Sequence, residues 1–276
     1  MSHPSMPGPD HAPGVATIGR AAKAATLGGR TQVIVPIIGG ADVLAKQVAA
    51  LAACRADIAE WRADTFLSSL VGPRFVAAED VETDLAGMAR YVADASPVPV
   101  LATIRTWAEG GEAYLDDEQY CALVRGIAPL AGGVDVEILR DGAGELIDDA
   151  HDAGALVVSS YHDFEGTPGD EQLAEVLAAM NYAGADVLKF ACMAHSATDA
   201  ARVLAAQAWA REAYDRPVIG IAMGPSGTPT RLVGSALGSA ATFASLPGWE
   251  GSAPGQFTVP QARAVLDVVE GPHVEV

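Results

Sequence analysis

After residue 30 the chain alternates between two hydrophobic rhythms. Short, nearly unbroken apolar runs rich in β-branched residues are followed by longer Ala- and Leu-rich stretches with apolar positions at helical spacing. The runs are Val33–Ile38, Ile58–Arg62, Val98–Arg105, Val134–Leu139, Ala155–Ser160, Asp186–Ala191, Val218–Met223 and Ala241–Ser245. Between them the spacing predicts helices over 79–94, 117–129, 143–153, 170–182, 197–213 and 231–237. A further helix follows Gly39-Gly40, running through Leu44, Val48 and Leu51, with Asp42 as its candidate cap. Strands that alternate with helices pair in parallel through crossovers. Eight such units in roughly 245 residues match a (β/α)8 TIM barrel. The rival, a doubly wound open sheet, ordinarily carries GxGxxG after its first strand, and this chain has none. No linker or shift in composition divides the chain. The expectation is one α/β domain, a (β/α)8 barrel over 31–276, preceded by a flexible extension over 1–30.

Composition narrows the class. The 276 residues include 35 acidic and 17 basic side chains, a formal net charge of −18, and half are hydrophobic. A chain this long and apolar can bury a large core. Its acidity excludes non-specific nucleic-acid binding and attachment to an anionic membrane, both of which need clustered cations. Cys54, Cys121 and Cys192 lie far apart, with neither a disulfide framework nor zinc spacing. No apolar stretch is long enough to span a membrane, and MSHPSMPGPDHAPG places Pro and His where a signal peptide is apolar. These features predict a cytoplasmic protein whose partner is a small molecule, with no metal site. His3 and His11 belong to the tail.

Chemistry in a barrel gathers where strands end. Charged residues stand at several of these ends: Glu60 and Arg62, Arg105 with Glu109 beyond it, Asp135 and Glu137, Tyr161-His162-Asp163, Lys189, and Arg231 after the loop MGPSGTPT. A lone strand-end carboxylate is more often a cap or an ion-pair member, and Glu60 and Arg62 share a face and can pair. Lys189 is different, because Val187, Leu188 and Phe190 surround it and a desolvated ammonium is costly. Two fates remain open for it: an ion pair with an inner carboxylate such as Glu137, or a Schiff-base nucleophile.

The blocks EWRAD (60–64), TIRTWAEGGE (103–112), VDVEI (134–138), SSYHDFEGTP (159–168), GADVLKFACMA (184–194), RLVGSALGSAATFASL (231–246) and SAPGQ (252–256) occur in this order. Together they resemble the type I 3-dehydroquinate dehydratases over roughly residues 33–270. The resemblance implies a barrel with no metal or redox cofactor that converts 3-dehydroquinate to 3-dehydroshikimate by syn loss of water, in the shikimate pathway. It implies that Lys189 forms an imine with the C3 ketone. His162 would remove the C2 proton and return a proton to the leaving C1 hydroxyl. Glu109 would orient that imidazole. Glu60, Arg62 and Arg105 would hold ring hydroxyls, and Arg231, Ser252 and Gln256 the carboxylate. Met223 would pack beside the ring, and the stretch from Leu246 to Gln256 would close over it. Relatives are often dimers, so a homodimer is expected. Thr230 departs from the usual serine, and Pro225 and Pro229 stand in a loop that lacks its usual charge. Residues 15–31 could form the short hairpin that closes the barrel bottom in this family, with a poor match to it.

Two other readings stand beside this one. A class I aldolase-like barrel also uses a strand lysine, and MGPSG is a faint echo of its phosphate loop. A barrel that binds a small acid without catalysis is the second. On the leading reading Arg62, Arg105, Lys189 and Arg231 converge, and the pocket should be locally positive within a negative surface.

Overall fold

The computed structural model describes residues 14–20, 23–72, 78–249, 251 and 256–271. Its first element is a hairpin, β1 (Ala16–Arg20) and β2 (Lys23–Leu27), paired antiparallel. The barrel strands follow: β3 (Gln32–Ile37), β4 (Ile58–Arg62), β5 (Val100–Thr103), β6 (Gly133–Glu137), β7 (Leu156–Asp163), β8 (Val187–Met193), β9 (Val218–Met223) and β10 (Ala241–Ser245). From β3 to β9 each pairs in parallel with its sequence neighbours. β10 returns to pair with β3. At the base, Val218 of β9 meets Ser239 in a parallel bridge, and the Ala240 N–H donates to the Val218 carbonyl at 2.8 Å. A two-residue strand, β11 (Phe257–Thr258), pairs with the upper end of β10. The result is an α/β barrel of the TIM type.

The helices are α1 (Ala41–Leu51), α2 (Ala63–Val71), α3 (Ala78–Ala95), α4 (Asp117–Ile127), α5 (Ala143–Asp152), α6 (Asp170–Tyr182), α7 (Ala197–Tyr214), α8 (Thr230–Val233) and α9 (Val259–Glu270). Among the described residues none is long and apolar enough to cross a membrane. Capping boxes at Asp116–Gln119, Ser196–Asp199 and Thr258–Gln261 start α4, α7 and α9 by satisfying N–H groups that the first turn leaves free. Asp42 does not cap α1. The N-cap is Gly40, and Asp42 stands in the first turn, where its charge still suits the helix dipole. α2 has no counterpart in the hydrophobic pattern, because it begins at Ala63 directly after β4 without a turn residue. The helix expected over 231–237 is one α turn followed by a 3-10 turn.

Alternation along each strand sorts the side chains into two cores. Outward residues such as Trp61, Val134 and Val136 pack against the helices α1 to α5. Leu188, Phe190 and Cys192 do so against α6 and α7. Inward residues Ile34, Ile58, Leu101, Val158, Val187 and Ile219 form an apolar layer inside the barrel. Below this layer lies the hairpin. Its residues 16–20 and 23–27 fall within the segment expected to be a flexible extension, and that expectation is corrected: Ala16, Ile18 and Leu27 are buried in the inner core. The strand pattern in this segment is weak, and burial against the barrel floor decides its form.

Ile18 is fully buried and packs against Gly133 at the start of β6. Ile18→Ala should therefore cost about 3 kcal/mol, the usual loss for a buried Ile truncated to Ala. Urea unfolding followed by circular dichroism measures it. A loss under about 1 kcal/mol would mean that the hairpin does not plug the barrel.

Candidate active site

Above the apolar layer the inward positions turn polar. Register decides which of them meet. Thr103 of β5 stands beside Asp135 of β6, Glu137 beside Ser160 of β7, and Ser160 beside Lys189 of β8. His162, one inward step further up β7, pairs with Ala191. β7 and β8 extend past their expected ends, so His162 lies on a strand rather than in a loop. The mouth opens into a cavity of about 240 Å³ lined by Glu60, Arg62, Arg105, Glu109, His162, Lys189, Arg231 and Gln256, with Phe164, Met193, Ile221, Met223 and Phe243 as apolar walls. Ser252 and most of its SAPGQ block lie outside the described residues, as do Glu250 and the tail histidines.

Lys189 is 3% exposed. Its Nζ donates to Asp135 Oδ2 at 3.0 Å, stands 3.5 Å from Glu60 Oε1, and lies 5.0 Å from the centre of the Phe243 ring. The expected partner Glu137 is thus replaced by Asp135 and Glu60. Asp135 also accepts from Ser160 Oγ at 2.6 Å and from Arg105 Nη2 at 2.6 Å. Burial opposes its charge, but Arg105 and Lys189 outweigh burial and hold the carboxyl at about 2. Glu60 accepts from Thr103 Oγ1 at 3.1 Å.

Arg105 joins the carboxylates. Beyond Asp135, its Nη1 lies 3.1 Å from Glu109 Oε2, 3.1 Å from Glu137 Oε1 and 3.0 Å from Ser160 Oγ. Burial works against its charge, yet Asp135, Glu137 and Glu109 together raise its pKa well above the ordinary value. Arg62 does not pair with Glu60. Its Nε and Nη2 fork onto Asp64 at 2.8 and 2.7 Å, a bidentate geometry that matches the carboxylate.

His162 Nδ1 stands 2.8 Å from Glu109 Oε2. Burial, then the charges of Arg105, Lys189 and Arg62, drive the imidazole well below the usual histidine range. Burial pushes the Glu109 carboxyl up to about 8, with Arg105 opposing and Glu137 and Asp135 adding to the rise. Two groups this close titrate as a unit. In the form with a carboxylate at Glu109, Nδ1 carries the proton and Nε2 is free to act as a base.

Arg231 stands apart. It is 7% exposed on the α8 turn, placed by Thr242 Oγ1 donating to its carbonyl at 2.5 Å. Thr230 next to it donates to the Gly227 carbonyl at 2.7 Å, so the hydroxyl expected from a serine is kept. Among the described residues the Arg231 guanidinium has no carboxylate partner, and burial alone lowers its pKa to about 10. The four cations do converge on one cavity. The pocket is not a simple positive well, however. Arg62, Arg105 and Lys189 are matched by carboxylates, and among the described residues Arg231 is not.

The sequence of residues 33–272 matches the family of type I 3-dehydroquinase. The chain belongs to the type I 3-dehydroquinase family. With its relatives it is an enzyme, a dehydratase. A 3-dehydroquinate dehydratase of Klebsiella pneumoniae is 37% identical over 247 residues, covering 87% of this chain and 94% of that protein. One from Syntrophotalea carbinolica is 35% identical, covering 87% and 93%. The crystal structure of 3-dehydroquinate dehydratase from Geobacillus kaustophilus superposes with a TM-score of 0.80 at 30% identity, covering 89% of this chain and 94% of that one. A type I enzyme of Clostridium difficile, solved with covalent modified comenic acid, gives 0.79 at 31% identity, covering 92% and 97%.

Strand-end spacing pointed to Lys189, His162, Glu109 and the arginines of this type I 3-dehydroquinase. Asp64, Thr103, Thr106 and Ser160 escaped it, because short polar residues beside strands give no signal until register pairs them.

The two kinds of arginine should separate in stability. Arg105→Met leaves three buried carboxylates facing one another and should cost roughly 3 kcal/mol or more. Arg231→Met removes a buried, unmatched charge and should leave stability unchanged or raise it by about 1 kcal/mol. Thermal unfolding of both variants checks this, and equal losses would show that Arg231 is matched after all.

Proposed function

We propose that this chain dehydrates 3-dehydroquinate to 3-dehydroshikimate through an imine on Lys189, as a cytoplasmic homodimer of the shikimate pathway. The supporting observation is a buried lysine and a histidine whose Nδ1 meets Glu109, both facing one cavity. Lys189 first gives up an ammonium proton, for which His162 is the available base. Its amine then bonds to C3, and the carbonyl oxygen leaves as water with protons returned from the imidazolium. The resulting iminium draws electron density from C2 and acidifies its hydrogen. His162 removes the C2 proton, and the electron pair enters the C2–C3 bond. The same imidazolium then protonates the C1 hydroxyl, which leaves as water while a C1–C2 double bond forms. Water adds at C3, the C–N bond breaks, and Lys189 is restored. One water is lost overall.

Binding follows from the charges. Arg231, with Gln256 and Ser252, takes the substrate carboxylate. A guanidinium held ready without a partner is not obliged to break a pair in order to bind. Glu60 and Arg62 hold ring hydroxyls, Arg62 through Nη1, which the Asp64 fork leaves uncommitted. Arg105 grips a ring hydroxyl only with the donors left over, since Nη1 is engaged by Glu137, Glu109 and Ser160 and Nη2 by Asp135. Met223 and Phe243 pack against the ring. An aldolase-like barrel acting on a sugar phosphate would need more cation at the β9–β10 end than Arg231 supplies.

Borohydride added with substrate should give a covalent adduct that peptide mapping places on Lys189, and Lys189→Ala should abolish it. An adduct on Lys23 or Lys46 would sink the assignment. The pH profile tests the base. Removing the carboxylate beside an imidazole disfavours imidazolium, so Glu109→Gln should move the acid limb of kcat/KM to lower pH and reduce kcat about tenfold or more. An unshifted limb would detach Glu109 from the base.

A further inference from the structure

Glu137 is 1% exposed and does not line the cavity, so it cannot touch substrate. It is nonetheless bonded on every side. Arg140 Nε donates to Oε2 at 3.1 Å, and Arg140 is itself braced by Asp117 at 2.8 Å and by the face of Tyr120. The Glu137 backbone N–H donates to Tyr120 Oη at 3.0 Å. Arg105 Nη1 shares Oε1 at 3.1 Å, and the rest of the carboxylate is taken by Thr106. Thr106 donates its backbone N–H to Oε1 at 2.8 Å and its hydroxyl to Oε2 at 2.7 Å.

Thr106 is the root of the turn that carries Glu109. Its carbonyl accepts the Glu109 N–H at 3.0 Å and the Gly111 N–H at 2.8 Å. Between these lies Gly110, left-handed at φ +76°, where a Cβ would run into the Phe164 ring. The turn is therefore tight, and two of its N–H groups converge on the Thr106 carbonyl, beside the bonds from Trp107 to Ala113 and from Gly110 to Trp107. A hydrogen-bonded path runs from Glu137 through Thr106 and Glu109 to the His162 imidazole.

We propose that Thr106 and Glu137 are positioning residues of the dehydration: Glu137 clamps both donors of Thr106, and Thr106 in turn holds the Glu109 carboxylate against His162 Nδ1. The inference rests on the reading of His162 as the base. Loss of this clamp leaves the lysine and the carboxylate-binding arginine where they are. It lets the Glu109 carboxylate move relative to the imidazole, and misplacement by about 1 Å costs up to roughly a hundredfold in rate.

The test is Thr106→Val, with Thr106→Ser as the conservative variant that keeps the hydroxyl, each alone and in the Glu109→Gln background. Thr106→Val should lower kcat about tenfold with KM within about twofold, and shift the acid limb downward as Glu109→Gln does, while Thr106→Ser restores both. In the Glu109→Gln background Thr106→Val should have no further effect on kcat, since two residues acting through one path are not additive. Additive losses, or normal kcat and pH profile in Thr106→Val, would overturn the proposal. If Thr106→Val does not fold, the same measurements on Thr106→Ala decide it by the same criteria. Borohydride trapping on Lys189 separates the two levels. A normal adduct with normal Thr106→Val kinetics refutes the clamp alone, and an absent adduct in the unaltered enzyme refutes the imine reading on which it rests.

Discussion

Burying a guanidinium in a barrel is costly unless opposite charge stands beside it, and Arg105 meets this cost with three carboxylates at once. Taking one ion out of water costs several kcal/mol even after relaxation. Asp135, Glu137 and Glu109 come from β6 and from the loop after β5, and they would repel one another without the cation between them. Each is therefore held by the others' need for Arg105. Lys189 enters the same network through Asp135. The nucleophile, the carboxylate that orients the base and the strands that carry them thus share one electrostatic centre.

The opposite arrangement holds at Arg231. There, among the described residues, a buried cation is left without a carboxylate, and burial lowers its pKa. Stability gains nothing from such a group. A ligand anion would supply the missing charge, and a site that stays open to its ligand keeps an electrostatic deficit in the free enzyme. The contrast also explains why net charge is a poor guide to the ligand. An overall −18 coexists with a cavity in which, among the described residues, three cations are matched by carboxylates and Arg231 is not. The total describes the surface and solubility.

Beneath the charged layer an apolar one seals the barrel, and the hairpin seals it from below. This stacking keeps water from reaching the ion pairs from the barrel floor, so they act in a medium that strengthens them. The same low polarity moves the His162–Glu109 pair away from the ordinary titration of either residue. Fold and chemistry meet in this layer boundary. The rigid apolar floor positions the strand ends, and those ends hold charges that would not be stable elsewhere in the core.

Much of this was legible in the chain. A strand buried on both faces must be apolar throughout, and a helix against it must be apolar at a period near 3.6, so the order of elements is written in composition. β4, β9 and β10 fall on the residues where the pattern placed them. Lys189 stood out because an ammonium inside an apolar run needs a reason. The hairpin over 16–27 was offered only by the family resemblance and α2 not at all, for each depends on burial against distant residues rather than on a local signal. Nor was the pairing legible. Lys189 takes Asp135 and Glu60 rather than Glu137, Arg62 takes Asp64 rather than Glu60, and Glu137 serves Thr106. Spacing along one strand says which face a side chain occupies. Which partner it meets is set by register between strands, and only the closed barrel decides that.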